Sequence, residues 1–242
     1  IADNIEKLPT MCFCGSQAEF NTRKVNGKYV FKGDQVAIEN GADIGIALDG
    51  DADRLLIVDE NGKAIDGDKI IALIAEKLHN EGALNRDTVV ITQMSNLALE
   101  KYLNYIGVSV IRSQVGDRYV LDEMRKNGCN FGGEQSGHIV LGDYSTTGDG
   151  LIAALQVLSV ISAVKKPASE VINVFELAPQ ILKNVRFDAA KKNPLEEKLV
   201  QDFIEEKKRE LGSAGRILVR KSGTENLIRV MVEGESKQKI EQ

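Results

Sequence analysis

The chain has 242 residues, of which 43% are hydrophobic and 28% charged, with a net charge of −5 at pH 7. This is the composition of an ordinary globular protein, long enough for one large domain or two to three small ones. It excludes a general nucleic-acid binder, which would present a basic face to neutralise phosphates, so any anionic ligand has to be met by local arginines. The longest nearly apolar stretch, Leu151 to Val164, is broken by Gln156, Ser159 and Ser162 and is too short to span a bilayer. No membrane partner and no signal peptide at Ile1 are therefore expected. Cys12, Cys14 and Cys129 form neither a zinc spacing nor a disulfide framework, which predicts small buried thiols in a reducing cytoplasm.

The first forty residues carry turn signals at Cys14-Gly15-Ser16, Asn26-Gly27 and Lys32-Gly33-Asp34 around one short strand candidate, Lys28 to Phe31. Gly41 to Asp59 reads as strand, polar loop and strand, closed by a tight turn at Glu60-Asn61-Gly62-Lys63. Strands and helices then alternate. Asp68 is placed to cap a helix over Lys69 to Asn80, with Ile70, Ile71, Leu73, Ile74 and Leu78 largely on one face. Thr88 to Met94 reads as a buried strand, and Ser95 as the cap of a helix to about Tyr105. Val108 to Ser113 is a strand, and Asp117 to Asn127 a helix stopped by Gly128. Two short strands, Cys129 to Gly132 and His138 to Leu141, flank a loop, and Thr147 or Asp149 starts a long apolar helix from Gly150 to Lys165. Beyond a hinge expected at Lys165-Lys166-Pro167, Ile181 to Asp188 is a strand, Pro194 opens a helix to Leu211, and Arg216 to Arg220 and Leu227 to Val232 are strands. The expected architecture is a layered α/β domain or domains with a mixed sheet, followed by a small α+β C-terminal domain.

Three loops carry chemistry. In Asp49-Gly50-Asp51-Ala52-Asp53-Arg54 three carboxylates crowd one turn. At about 4 Å a like-charge pair costs roughly 1 kcal/mol in water and about 4 kcal/mol near a protein surface, so a hard divalent cation is the natural counter-charge. Mg²⁺ accepts oxygen ligands and keeps positions for water or a phosphate oxygen. Asp and Gly are also ordinary turn residues, though a lone pair would suffice for a turn. A calcium EF-hand loop fits less well, because Arg54 stands where the sharp-turn glycine belongs and strands rather than helices flank the loop.

The second loop, Gly132-Gly133-Glu134-Gln135-Ser136-Gly137-His138, lets a ligand approach the backbone and offers Glu134 and Ser136 to sugar hydroxyls. A polar hairpin turn would have a similar composition, and an isolated histidine such as His138 is more often structural than catalytic. The third, Arg220-Lys221-Ser222-Gly223-Thr224-Glu225-Asn226 followed by Arg229, suits a phosphate monoester, since each charge-assisted hydrogen bond contributes about 1.5 to 3 kcal/mol. Ser222 and Glu225 also have the spacing of a helix capping box, but the following Leu-Ile-Arg-Val-Met-Val run favours a strand.

In this order the three loops resemble the α-D-phosphohexomutase family, in particular its bacterial glucosamine branch, as do Val115-Gly116-Asp117-Arg118-Tyr119 and Thr146-Thr147-Gly148-Asp149-Gly150. The resemblance implies that Asp49, Asp51 and Asp53 bind Mg²⁺ and that Arg54 steadies the phosphoserine or the transferring phosphoryl group. It implies that Glu134, Ser136 and Arg118 contact substrate, with His138 aiding proton transfer, and that Arg220, Ser222, Gly223, Thr224 and Arg229 clamp the non-reacting phosphate. The implied reaction is an intramolecular phosphoryl transfer on a hexosamine phosphate, through an enzyme phosphoserine and a bisphosphate. Phosphomannomutase or phosphoglucomutase activity, or non-catalytic binding of a sugar phosphate, are the alternatives. The implied domains are 1–59, a partial second α/β domain ending in the metal loop; 60–166, a sugar-binding α/β domain; and 167–242, a phosphate-binding α+β domain cut short at its end. The family's N-terminal domain, with its serine-histidine-asparagine loop, is expected to be a missing partner, and the resemblance leaves room for a homodimer. Asn226 stands where the family usually has proline.

Overall fold

The computed structural model describes residues 5–11, 17–25, 28–30, 42–187, 193–222 and 226–241. It divides into two compact units, one of Ile1–Ser95 with Leu99–Phe175, the other of Asn96–Ala98 with Glu176–Gln242. The expected hinge at Lys165-Lys166-Pro167 thus lies inside the first unit.

The first unit begins with an antiparallel meander of β1 (Ile5–Met11), β2 (Gln17–Val25) and β3 (Lys28–Val30). Only the third of these strands is visible in the sequence pattern. Pro9 is tolerated because β1 lies at the sheet edge, where a missing ladder donor costs least. A second small antiparallel sheet joins β4 (Ile44–Leu48), β5 (Leu55–Asp59) and β6 (Ala64–Ile65).

The central sheet contains β7 (Thr88–Thr92), β8 (Ser109–Ser113), β9 (Phe131–Gly133) and β10 (Ile139–Leu141), in the order β10-β9-β7-β8. Strands β8 and β9 run parallel to β7 and β10 runs antiparallel to β9, so the sheet is mixed, as expected. Successive residues point to opposite faces of a strand. Val89 and Ile91 of β7 accordingly join a core with Ile70, Ile71 and Ile74 of α1 (Gly67–Asn80), Leu99 and Leu103 of α2 (Leu97–Tyr105), and Ala153 and Val157 of α4 (Gly150–Val164). Val90 between them packs with Val120 and Met124 of α3 (Asp117–Asn127). Full burial of each such aliphatic side chain contributes about 1.5 to 3 kcal/mol, which makes this α/β/α sandwich a firm base for its loops. A short α5 (Ala168–Ile172) completes the unit.

Two caps differ from the sequence expectation. Asp66, not Asp68, caps α1, accepting from Asp68 N at 2.9 Å, while Asp68 is buried in the first turn. Asn96 rather than Ser95 accepts from the start of α2, from Ala98 N at 3.0 Å. In both cases an Asx side chain two residues before the donor reaches it, as capping geometry prefers. Asp149 is the cap of α4, accepting from Ile152 N at 2.9 Å.

The second unit is an antiparallel sheet in the order β11-β13-β12, formed by β11 (Gln180–Arg186), β12 (Gly215–Lys221) and β13 (Leu227–Gly234), with helices α6 (Lys198–Leu211) and α7 (Lys237–Ile240). Pro194 does not open the helix itself. It starts a 3-10 turn, Pro194–Glu196, and the extended backbone of Glu197 separates that turn from α6. Among the described residues, no helix is long and apolar enough to cross a membrane.

Candidate functional site

The acidic loop connects the paired ends Leu48 and Leu55 of β4 and β5. It is closed by Ala52 N donating to Asp49 O at 3.1 Å, with Ala52 in the left-handed region at φ 57°. Asp49 Oδ1 accepts from Arg54 N at 3.3 Å and its Oδ2 lies 3.7 Å from Arg54 Nε. Burial and then the neighbouring Asp53 push the Asp49 carboxyl above its usual range, against the opposing pull of Arg54. Asp49 thus has a carboxylate neighbour, Asp53, and a cationic one, Arg54. Asp51 stands exposed, and among the described residues no group of three or more His, Cys, Asp and Glu side chains is arranged to hold a metal ion. The hard oxygen donors of Asp49 and Asp53 suit a divalent cation.

The glycine-rich loop is held against this one. Glu134 N donates to His138 O at 2.8 Å, Gly137 N to Glu134 O at 3.0 Å, and Leu55 N to Gly137 O at 3.0 Å. Arg54 and His138 form an isolated antiparallel bridge. Gly137 has φ +89°, and a Cβ there would overlap the Leu55 carbonyl oxygen, so this close approach needs glycine. His138 is only 2% exposed, and its Nδ1 lies 3.1 Å from Asp53 Oδ2. Its ring rests on Gly148, where a Cβ would come within 2.6 Å of Nε2 and 2.7 Å of Nδ1. An Nδ1–H donated to Asp53 leaves Nε2 as an acceptor, and Nε2 is buried without a hydrogen-bond partner among the described residues.

Glu134 Oε1 accepts from Gly116 N at 2.7 Å, and its Oε2 accepts from Ser136 Oγ at 3.4 Å. Gln135 Nε2 donates to Asp66 Oδ2 at 3.1 Å, tying the loop to the cap of α1. Asp49, Asp53, Arg54, Glu134, Ser136 and His138 thus belong to one connected set of loops. Arg118 does not join it by its side chain, which is 85% exposed and lies 3.8 Å from Asp122; its loop joins through the Gly116 backbone. Asp66, Gly116 and Gly148 are the members that sequence reasoning missed. Gly116 and Gly148 lay in the Val115-to-Tyr119 and Thr146-to-Gly150 segments that resembled the glucosamine branch, whereas Asp66 gave no signal beyond helix-start chemistry.

In the second unit, Arg220 of β12 and Arg229 of β13 face each other in register. Like charges directly opposite on a sheet are destabilising. Burial first, and then the Arg229 charge, lower the affinity of Arg220 for its proton. Arg229 Nε is buried with no hydrogen-bond partner among the described residues, and Ser222, 5% exposed, is held by its N–H to Leu227 O at 2.8 Å. Two adjacent guanidiniums in this state suit an anion. Gly223 and Thr224 lie outside the described residues.

The family model "Phosphoglucomutase/phosphomannomutase, alpha/beta/alpha domain III" matches residues 66–177, and the model of the family's C-terminal domain matches residues 182–242. The chain belongs to the α-D-phosphohexomutase family. It is 56% identical over 203 residues to a phosphoglucosamine mutase of Parvibaculum lavamentivorans, covering 84% of this chain and 45% of that protein. A phosphoglucosamine mutase of Beijerinckia indica is 57% identical over 200 residues, covering 83% of this chain and 44% of that protein. The chain thus spans about half the length of the curated relatives it matches. Solved structures share its fold. An Aspergillus fumigatus N-acetylphosphoglucosamine mutase in complex with GlcNAc-6P and magnesium aligns with TM-score 0.64 at 20% identity, over 87% of this chain and 50% of that one. A family member from Burkholderia thailandensis aligns with TM-score 0.66 at 20% identity, over 86% of this chain and 46% of that one.

Proposed function

We propose that this phosphohexomutase chain is the metal- and substrate-binding part of a phosphoglucosamine mutase, which interconverts glucosamine 6-phosphate and glucosamine 1-phosphate through a phosphoserine and a bisphosphate. The observation that carries the reading is the contact of His138 Nδ1 with Asp53, because it joins the acidic loop to the loop suited to sugar hydroxyls. Identities of 56% and 57% to phosphoglucosamine mutases support the hexosamine substrate.

In this reading Asp49, Asp51 and Asp53 would hold Mg²⁺. The bound cation supplies charge stabilisation to phosphoryl transfer. Arg54 steadies the phosphoryl group from the same loop, as a planar guanidinium suits its oxygens. Glu134 and Ser136 accept and donate hydrogen bonds to sugar hydroxyls, and Arg118 meets the substrate at the edge of the site. His138, held by Asp53, aids proton transfer at the attacking hydroxyl. Arg220, Ser222, Gly223, Thr224 and Arg229 hold the phosphate that does not react. No Ser-His-Asn sequence occurs among these 242 residues, so the chain alone binds substrate without turning it over.

Calorimetric titration with glucosamine 6-phosphate, in the presence and absence of Mg²⁺, tests the reading. The Ser222→Ala, Thr224→Ala double variant is expected to bind about tenfold more weakly, as loss of charge-assisted hydrogen bonds requires. Glucose 6-phosphate, lacking the amino group, is expected to compete poorly. Equal affinity of the variant and the parent chain, or steady conversion by the 242-residue chain alone, would contradict it.

A further inference from the structure

The cations of the second unit are unevenly neutralised. Arg216 is paired with the fully buried Glu233 at 2.5 Å. Among the described residues, Arg186, Arg220 and Arg229 have no carboxylate partner. Strand register places all three together. Arg229 pairs with Arg220 on β12 and with Asn184 on β11, and Arg186, two residues beyond Asn184, pairs with Leu227, two residues before Arg229. Directly paired residues share a face, as do residues two apart along a strand. Ser222 faces Leu227 from the other side through its 2.8 Å backbone bond. One face therefore carries Arg186, Asn184, Arg229, Arg220 and Ser222, while Lys183 and Lys221 fall on the other.

Phe187 N donates to Asn226 O at 3.2 Å, which fastens the end of β11 beside the end of the β12–β13 hairpin. Arg186 and Ser222 are thus separated by two strand spacings, roughly 10 Å between backbones. A single ligand bound at this end of the sheet, between the two edge strands, is within reach of a long Arg186 side chain from one of them and of Arg220 and Ser222 from the other.

We propose that Arg186 is a third phosphate-binding guanidinium, and that this face is built for the doubly ionised phosphate of a sugar monophosphate rather than for a singly charged ester. The proposal rests on the phosphate reading above and adds to it a residue from a different strand. A dianion offsets more of the repulsion among three guanidiniums than a monoanion does, and its additional charge strengthens each hydrogen bond it accepts. Arg186 is exposed, so its removal tests binding without opening the core.

The test is calorimetry on the full chain with two probes of similar shape, glucosamine 6-phosphate and glucosamine 6-sulfate. Arg186→Gln is expected to weaken the phosphate about fivefold and the sulfate less, narrowing the preference between them, as loss of one partly screened charge contact implies. Arg186→Lys is expected to keep most of the affinity. Lys183→Gln removes the same charge from the opposite face of the same strand and is expected to change nothing. Parent-like binding by Arg186→Gln, or an equal loss in Lys183→Gln, overturns the proposal. If Arg220→Gln weakens binding while Arg186→Gln does not, the proposal falls and the phosphate reading stands; if the parent chain binds neither probe, both fall.

Discussion

Gly137→Ala is expected to lower the melting temperature of the first unit by roughly 10 °C, corresponding to about 3 kcal/mol for a unit of this size. Two costs combine. An alanine held at φ +89° pays about 1 to 2 kcal/mol of backbone strain. Its Cβ also overlaps the Leu55 carbonyl oxygen and has the carbonyl carbon 3.1 Å away, so the loop must move off β5 at a further cost of about 1 to 3 kcal/mol. Gly82→Ala isolates the first cost, because Gly82 has φ +66° and nothing within 4 Å of an added Cβ. Thermal melts of the two variants side by side check the argument. Equal, small shifts would mean that contact between the glycine-rich loop and β5 is not what holds the site together.

The second large effect concerns Asp49. Its carboxyl is pushed up by burial and by Asp53, so neutralising it relieves repulsion in the metal-free chain. Asp49→Asn is expected to melt within about 0.5 kcal/mol of the parent chain without metal, the usual range for a partly exposed substitution. With Mg²⁺ the two should separate. At a hundredfold excess over its dissociation constant, the cation stabilises the parent chain by about 2.7 kcal/mol through mass action, whereas the variant gains little. A parallel Mg²⁺ response in both chains would remove Asp49 from the ligand set.

How much of this was legible in the sequence differed from element to element. Helix α1 showed its apolar face, α3 its stop at Gly128 and α4 its long apolar run, and β7 showed a run of buried-strand residues, because burial imposes those patterns along a single chain. Strand β2 did not, since Gln17 to Val25 has only Ala18, Phe20 and Val25 as apolar residues, split between the two sides of the alternation, and only pairing with β1 and β3 reveals it. The three chemical loops were visible as clusters of residue types. The couplings between them were not, because Asp53 and His138 are 85 positions apart and the Gly116–Glu134 bond uses a backbone donor that carries no side-chain signature. Arg186 was passed over because its relation to Arg220 and Arg229 exists only in the strand register.

The most direct test of the account is a map of backbone amide chemical shifts in the 242-residue chain during titration with glucosamine 6-phosphate and Mg²⁺. The account predicts concerted shifts at Asp49 to Arg54, at Gly133 to His138 and on the Arg220–Arg229 face, with β1 to β3 unaffected. Shifts confined to other surfaces, or none at saturating ligand, would contradict it.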